Sequence, residues 1–325
     1  MGINHRSIFL SKRLENPELG YNIIGFVDNK LNIESNAQKL DKPVLCDLSG
    51  IEELISTRPV DVVLIALPIR SYYDKIAEII KLCAIQGLET RIVTDLFDTP
   101  SRIRRETDIG FGTPYISYDV DLHTGFQYSV ARAFDLVISS TAILVLSPVF
   151  FLITLIILLG DGWPVFFVQD RIGLNKRVFK MLKFRTMVRN ADQIQSLLED
   201  QNEADGPAFK IINDPRITRF GKFLRKTSLD ETPQFLNVFM GSMGLVGPRP
   251  LPIRDFKLFY QNEHRRRFST KPGITGLWQV GGRNEQDFEE WMRLDLEYVD
   301  NWSLILNLKI FIKTILVVFS RKGAH

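Results

Sequence analysis

At 325 residues the chain is long enough for two domains, and its charge is shared unevenly: residues 1–130 carry 14 Lys and Arg against 18 Asp and Glu, residues 131–325 carry 27 against 20. The basic second part calls for an anionic partner, and phosphate, nucleic acid or a lipid surface would each satisfy it. Two cysteines exclude a disulfide framework, four scattered histidines give no zinc-site spacing, and MGINHRS at the start lacks the apolar core of a signal peptide.

The first part alternates short apolar runs with helical patterns. YNIIGFVD reads as a strand, 48–56 as a helix, DVVLIALP at 61–68 as a buried strand, 72–86 as a helix closed by Gly87, and TRIVTDL as a further strand. This is the alternation of a doubly wound, Rossmann-like α/β domain. A dinucleotide-binding version needs G-x-G-x-x-G after its first strand, and only Gly2 stands there, so the pattern predicts a structural or regulatory domain over 1–125. Residues 99–130 are rich in turn formers and read as a linker with short strands, placing the boundary near 125–131.

Residues 136–159 contain no charged residue. At about 1.5 Å per residue they make about 36 Å of helix, enough to span a bilayer. Ser147-Pro148 sits at the middle, and the hydrogen bond lost at proline divides the run into two arms of about 11 to 12 residues. A kinked single span, a re-entrant hairpin and a buried core helix all fit this pattern. Arg132 flanks one end and Arg171, Lys176, Arg177, Lys180 and Lys183 the other, so charge does not choose a cytoplasmic side.

Next, VFKMLKFRTM at 178–187 reads as a strand, the acidic stretch 198–206 as a solvated loop, and PRITRFGKFLRK as a basic amphipathic helix with Ile217, Phe220 and Leu224 on one stripe. The stretch 225–234, RKTSLDETPQ, places adjacent carboxylates Asp230 and Glu231 before a helix that runs to Gly241. Thr232 as N-cap and Pro233 at the first helical position set its start, so the helix N-terminus would favour ionised carboxylates. A capping box from Ser228 to Glu231 is the alternative, with the carboxylates serving only as caps. An ionised carboxylate there suits a nucleophile, and its neighbour a metal ligand.

MGLVGPRPLP at 243–252 is a stiff loop that fixes Arg249 between two prolines, an arrangement suited to gripping a phosphate. KPGITGLWQVGGRN at 271–284 reads as a glycine-rich loop whose N–H groups suit a diphosphate, with Trp278 placed either to stack on a base or sugar or to pack structurally. Residues 303–319 form an apolar helix interrupted by Lys309 and Lys313, better suited to an interface or a core than to a span.

In order, ARAFDLV with Ser147-Pro148, GWPVFFVQDRIG, FKMLKFRTM, DPRITRFGKFLRKTSLDETPQ, GLVGPRP, KPGITGLWQV with GR, and YVDNWSLILNLKI closely resemble the monotopic phosphoglycosyl transferases, or bacterial sugar transferases. The resemblance covers nearly all of 131–325. It implies an α+β catalytic domain with a re-entrant membrane helix over about 133–160, turning at Ser147-Pro148. It also implies transfer of a sugar phosphate from a UDP-sugar to undecaprenyl phosphate with release of UMP, at the cytoplasmic face of the bacterial inner membrane. Such a transfer is the first membrane step of exopolysaccharide, capsule or O-antigen synthesis. In that reading Asp230 is the nucleophile and carries the phosphosugar, and Glu231 holds Mg²⁺. Arg249 holds phosphate, joined by Lys183, Arg185, Lys226 and Arg283. The sugar is expected to be glucose or galactose. A homodimer is implied, and nucleic acid drops out as a partner.

The first part resembles the α/β domain of the longer members, through SKRLENPELGYNIIGFVD. Those members begin with transmembrane helices, whereas none is expected here before residue 136, and the first sheet is expected to lack its first strand. The competing classes are a catalytically silent membrane scaffold and an NAD-dependent enzyme, the latter disfavoured by the absent glycine fingerprint.

Overall fold

The computed structural model describes residues 1–17, 20–30, 32–33, 40–93, 115–118, 126–195, 211, 214–257, 262–282 and 288–320. The acidic stretch 198–206 and Arg283 lie outside them. The chain divides into two units, Met1–Asp121 and Leu122–His325.

The first unit holds α1 (His5–Leu14), β1 (Phe26–Asp28), β2 (Val44–Asp47), α2 (Ile51–Thr57), β3 (Val62–Ile65), α3 (Ile69–Ile85), β4 (Glu89–Val93) and β5 (Tyr115–Tyr118). β1 pairs parallel with β2, β3 parallel with β4, and β5 antiparallel with β4. The strand expected from Tyr21 is shorter and begins at Phe26, and β2 and α1 were not read from the pattern. On α3, Ile76, Ile79 and Cys83 recur at helical spacing and are buried against Val63, Ile65, Ile51 and Ile55. The gap expected in the first sheet is partly filled: the Gly2 N–H donates to Val27 O at 2.8 Å and the Ala66 N–H to Met1 O at 2.8 Å. The opening residues thus lie between β1 and the end of β3.

The second unit begins with α4 (Phe126–Gly160), which continues through Pro148. The expected division into two arms is therefore not a break in the helix. Proline cannot donate to the carbonyl four residues back, that of Leu144, and the Ser147 hydroxyl donates to it at 2.8 Å instead. Only Ser139, Ile153 and Ile157 are buried on α4, and nothing between them is. The first end is fastened by Arg132, which donates to Val238 O at 2.6 Å and Phe239 O at 2.8 Å, and by Asp135, which accepts from the Leu245 N–H at 3.0 Å. The second end packs Ile153 and Ile157 against Val165, Phe184 and Leu224.

β6 (Phe166–Ile172) and β7 (Val178–Phe184) form an antiparallel hairpin, with β9 (Leu251–Pro252) on the other edge of β6. α5 (Arg219–Lys226) starts at Thr218, whose hydroxyl accepts from the Gly221 N–H at 3.0 Å, and crosses the end of β7 so closely that a Cβ on Gly221 would run into the Thr186 carbonyl. α6 (Gln234–Met240) ends at Gly241 with φ +88°, as the sequence predicts. Its Asn237 side chain accepts from the Leu182 N–H and donates to Lys180 O, tying α6 to the edge of β7.

β8 (Gly244–Val246) pairs parallel with β10 (Gly273–Thr275), followed by α7 (Leu277–Gly282), α8 (Phe288–Asp300) and α9 (Leu304–Ser320). The stretch expected to be a glycine-rich loop is thus a strand and a helix. Within it the Gly273 N–H already donates to Pro248 O, and Thr275 O accepts from the Gly247 N–H. Gly273 is needed because a Cβ there would strike the backbone of Gly247.

Candidate active site

Asp230 and Glu231 lie on a single 3-10 turn, Leu229–Glu231, between α5 and α6. Ser228 enters the turn in the left-handed region, with φ +55°. Neither expected cap forms. Ser228 makes no capping bond, and the Thr232 hydroxyl donates back to Leu229 O at 2.7 Å while Pro233 occupies the N-cap position. α6 is only seven residues long, so side-chain cations rather than a helix terminus dominate the surroundings of the two carboxylates.

Those cations arrive from three directions. Lys183, from β7, donates to Glu231 Oε1 at 2.7 Å, and Arg249, from the loop before β9, donates to the same oxygen at 3.3 Å. Arg225, at the end of α5, lies in the field of both carboxylates and donates to the Thr186 hydroxyl at 3.0 Å. Asp230 is 8% exposed and forms no ion pair among the described residues. Burial pushes its carboxyl above the usual range, and Glu231 adds to this, whereas Lys183 and Arg225 pull it down. Burial likewise lowers Lys183, with Glu231 opposing.

The pocket beside the dyad has an empty volume of about 210 Å³, counted out to open solvent, and is lined by Arg171, Met181, Lys183, Glu231, Gln234 and Arg249, among others. Arg171 is a candidate site residue that sequence reasoning named only among the charges flanking the apolar run. Its guanidinium donates to Pro250 O at 2.9 Å and to the Gln169 side chain, and burial beside Arg249 pushes it down to about 10, so it stays cationic at neutral pH. Arg171, Met181 and Lys183 share one face of the hairpin through its register, with Arg171 opposite Phe179 and Gln169 opposite Met181.

Two of the other expected phosphate holders, Arg185 and Lys226, are not gathered here, and Arg283 lies outside the described residues. Arg185, two residues past Lys183, is 6% exposed and turns to Asp161 O at 2.9 Å and Gly162 O at 2.6 Å, bracing the end of α4. Lys226 is exposed at the end of α5, and its neighbour Arg225 takes the inward position. Ser147 and Pro148 lie on the exposed middle of α4. Trp278 stacks on Trp291 with ring centroids 5.0 Å apart and carries the Arg249 guanidinium 5.9 Å above it, so its role is structural. Arg267 fixes Arg249 from behind: its Nη2 donates to Arg249 O at 2.8 Å and pairs with Asp295.

No group of three metal-ligating side chains occurs among the described residues. Mg²⁺ needs fewer, since it takes one or two carboxylates together with substrate phosphates and water. Glu231, which lines the pocket with Lys183, Arg249 and Arg171, and the adjacent Asp230 are hard oxygen donors of the kind that set needs.

Residues 126–321 match the bacterial sugar transferase family. The chain belongs to that family. Among its relatives, a galactosyl transferase of Streptococcus agalactiae is 48% identical over 50% of this chain and 36% of its own length. An undecaprenyl-phosphate galactose phosphotransferase of Salmonella typhimurium is 40% identical over 60% of this chain and 41% of its own. A UDP-glucose:undecaprenyl-phosphate glucose-1-phosphate transferase of Xanthomonas campestris is 33% identical over 100% of this chain and 67% of its own. The chain thus spans about a third of the streptococcal relative and two thirds of the Xanthomonas one.

Proposed function

We propose that the second unit transfers a sugar phosphate from a UDP-hexose, glucose or galactose, to a polyprenyl phosphate such as undecaprenyl phosphate, releasing UMP. The observation that carries this reading is the pairing of two unlike neighbours: Asp230 buried without an ion pair among the described residues, beside Glu231 held by Lys183 and Arg249. An Asp230 carboxylate oxygen attacks the phosphorus that bears the sugar. The bond from that phosphorus to the bridging oxygen breaks, and UMP leaves with the bond's electrons. A phosphate oxygen of the lipid then attacks the same phosphorus and releases Asp230, leaving a lipid diphosphosugar. Lys183, Arg249 and Arg171 hold the anionic oxygens, which lets a carboxylate approach a diphosphate. Glu231, with Asp230 adjacent, is the residue that would hold Mg²⁺. Bound there, the ion would neutralise diphosphate charge.

The membrane reading is a re-entrant α4 at the cytoplasmic face of the inner membrane. It is supported by the two fastened ends of α4, which meet adjoining elements, α6 and β7, of one unit, while no residue of 140–152 is fully buried. Single cysteines at Ser129 and Asp161 should both react with an impermeant maleimide from the same side of a sealed vesicle; labelling from opposite sides would make α4 a span.

The deciding assay is nucleotide release from detergent-solubilised protein with Mg²⁺, a polyprenyl phosphate and a panel of UDP-sugars, beside Asp230→Asn. UMP from one sugar, dependent on Asp230, is expected. UDP in place of UMP, or turnover independent of Asp230, would remove the mechanism.

A further inference from the structure

The hairpin register places an exposed aromatic on the strand face that lines the pocket. Phe167 pairs with Lys183, two positions along β6 from Gln169 and four from Arg171, so it lies on the face that carries Lys183, Met181 and Arg171. Directly opposite residues on one face of an antiparallel pair have Cβ atoms about 4.5–5.5 Å apart, so the Phe167 ring stands next to the stem of Lys183. That lysine already reaches Glu231 at 2.7 Å. Phe167 is 37% exposed and forms no part of the apolar clusters among the described residues.

The next residue turns the other way. Phe166 stacks on Phe184 with centroids 5.3 Å apart, and Phe184 meets Phe150 of α4 edge-on at 5.5 Å. One step of β6 therefore joins the apolar surface of α4 to the anion-binding face, and Val168, 47% exposed, continues the apolar edge. A ligand that suits this junction has a phosphate for Lys183 and a hydrocarbon chain leading away toward α4. A UDP-sugar has the first and lacks the second.

We propose that Phe167 is the contact for the first isoprene units of the lipid acceptor, seated beside the phosphate that Lys183 holds. The proposal rests on the transfer reading above and adds the place where the lipid chain leaves the site. Charge complementarity at Lys183 admits a phosphate, and the adjoining exposed apolar residues Phe166 and Val168, with the chain of ring contacts to α4, select the lipid over the nucleoside of the donor.

The test compares the full chain with Phe167→Ala and Phe167→Leu, reading KM separately for undecaprenyl phosphate and for the UDP-sugar. The expected result for Phe167→Ala is a KM for the lipid raised about tenfold, the scale of partly uncovering one aromatic side chain, with KM for the UDP-sugar unchanged. Phe167→Leu should recover most of the loss, and because it keeps a large apolar residue on the strand it carries the test if the alanine variant folds poorly. A rise confined to the UDP-sugar would assign Phe167 to the donor, and no change in either KM would make it a bystander; both overturn the proposal. Absence of UMP release from the unsubstituted protein would instead overturn the transfer reading, and this inference with it.

Discussion

Of the carboxylates buried near cations in the second unit, Asp295 and Asp230 are treated in opposite ways. Asp295 on α8 is 1% exposed and closed against Arg267, itself 2% exposed beneath Trp291. Asp230 is 8% exposed on its turn, feels Lys183 and Arg225 through space, and has no ion pair among the described residues. A buried charge without an ion-pair partner is costly, and such groups cluster at functional sites. The closed pair and the open carboxylate are also connected, because Arg267 holds the backbone of Arg249, which in turn reaches Glu231. Packing energy invested at Asp295 fixes the cations that Asp230 leaves to a ligand.

The largest expected effect separates the two. Asp230→Asn should lower UMP release by about a thousandfold or more, the scale of removing a nucleophile, while thermal melting is unchanged or shifts upward because an uncompensated buried charge has gone. Asp295→Asn should do the reverse, destabilising by about 3–5 kcal/mol because Arg267 is left buried without its partner. Denaturant melts and activity per folded molecule read the two. A melt unchanged by Asp295→Asn, or one strongly lowered by Asp230→Asn, would dissolve the distinction.

The pH dependences sharpen it. Asp230 must be ionised to attack, and burial holds its proton on, so the acid limb of kcat should lie above the ordinary aspartate value of about 3.9. Lys183 favours the ionised form, so Lys183→Met should move that limb to still higher pH, besides weakening phosphate binding. Asp295 appears in stability instead. Burial pushes it up to about 6, so the folded state binds this proton more tightly than the unfolded chain. Its contribution therefore declines as pH rises from about 3.9 toward the folded value and is level above it. A kcat profile with an acid limb unmoved by Lys183→Met would remove Lys183 from the field of the nucleophile.

The dyad and Arg249 carry signals in their own short segments, adjacent carboxylates before a proline and an arginine fixed by two prolines, whereas Lys183 is singled out only through the family resemblance; the structure brings Lys183 and Arg249 to Glu231. Arg171 is not legible, because what brings it to Lys183 is the pairing of β6 with β7, and strand register is a property of two segments at once. Arg185 shows the converse. Alternation puts it on the same side as Lys183, but β7 ends at Phe184 and the side chain swings to the carbonyls of Asp161 and Gly162. The glycines at 271–284 signalled a phosphate cradle, whereas Gly273 is required by the close approach of Gly247, a contact 26 residues away in sequence and invisible to local pattern. In the fold, long periodic segments such as α3, α4 and α9 were readable. The four-residue β2 was not, and β1 was read from Tyr21 where it begins at Phe26, since pairing partners as much as composition define such short strands.

The smallest expected effects concern the end of α5, where sequence reasoning chose Lys226 and the structure turns Arg225 inward. Lys226 is exposed, so Lys226→Ala should leave kcat/KM within about twofold and stability within about 0.5 kcal/mol, as for an ordinary surface change. Arg225→Ala removes both a cation from the field of Asp230 and the bond to the Thr186 hydroxyl, which fastens α5 to the chain just beyond β7. It should lower kcat about tenfold and, like Lys183→Met, raise the pH of the acid limb. The direction of that shift decides the matter. If Arg225 only braces α5, kcat falls without any movement of the limb; if Arg225 also helps to keep Asp230 ionised, the limb moves upward and the loss shrinks as pH is raised.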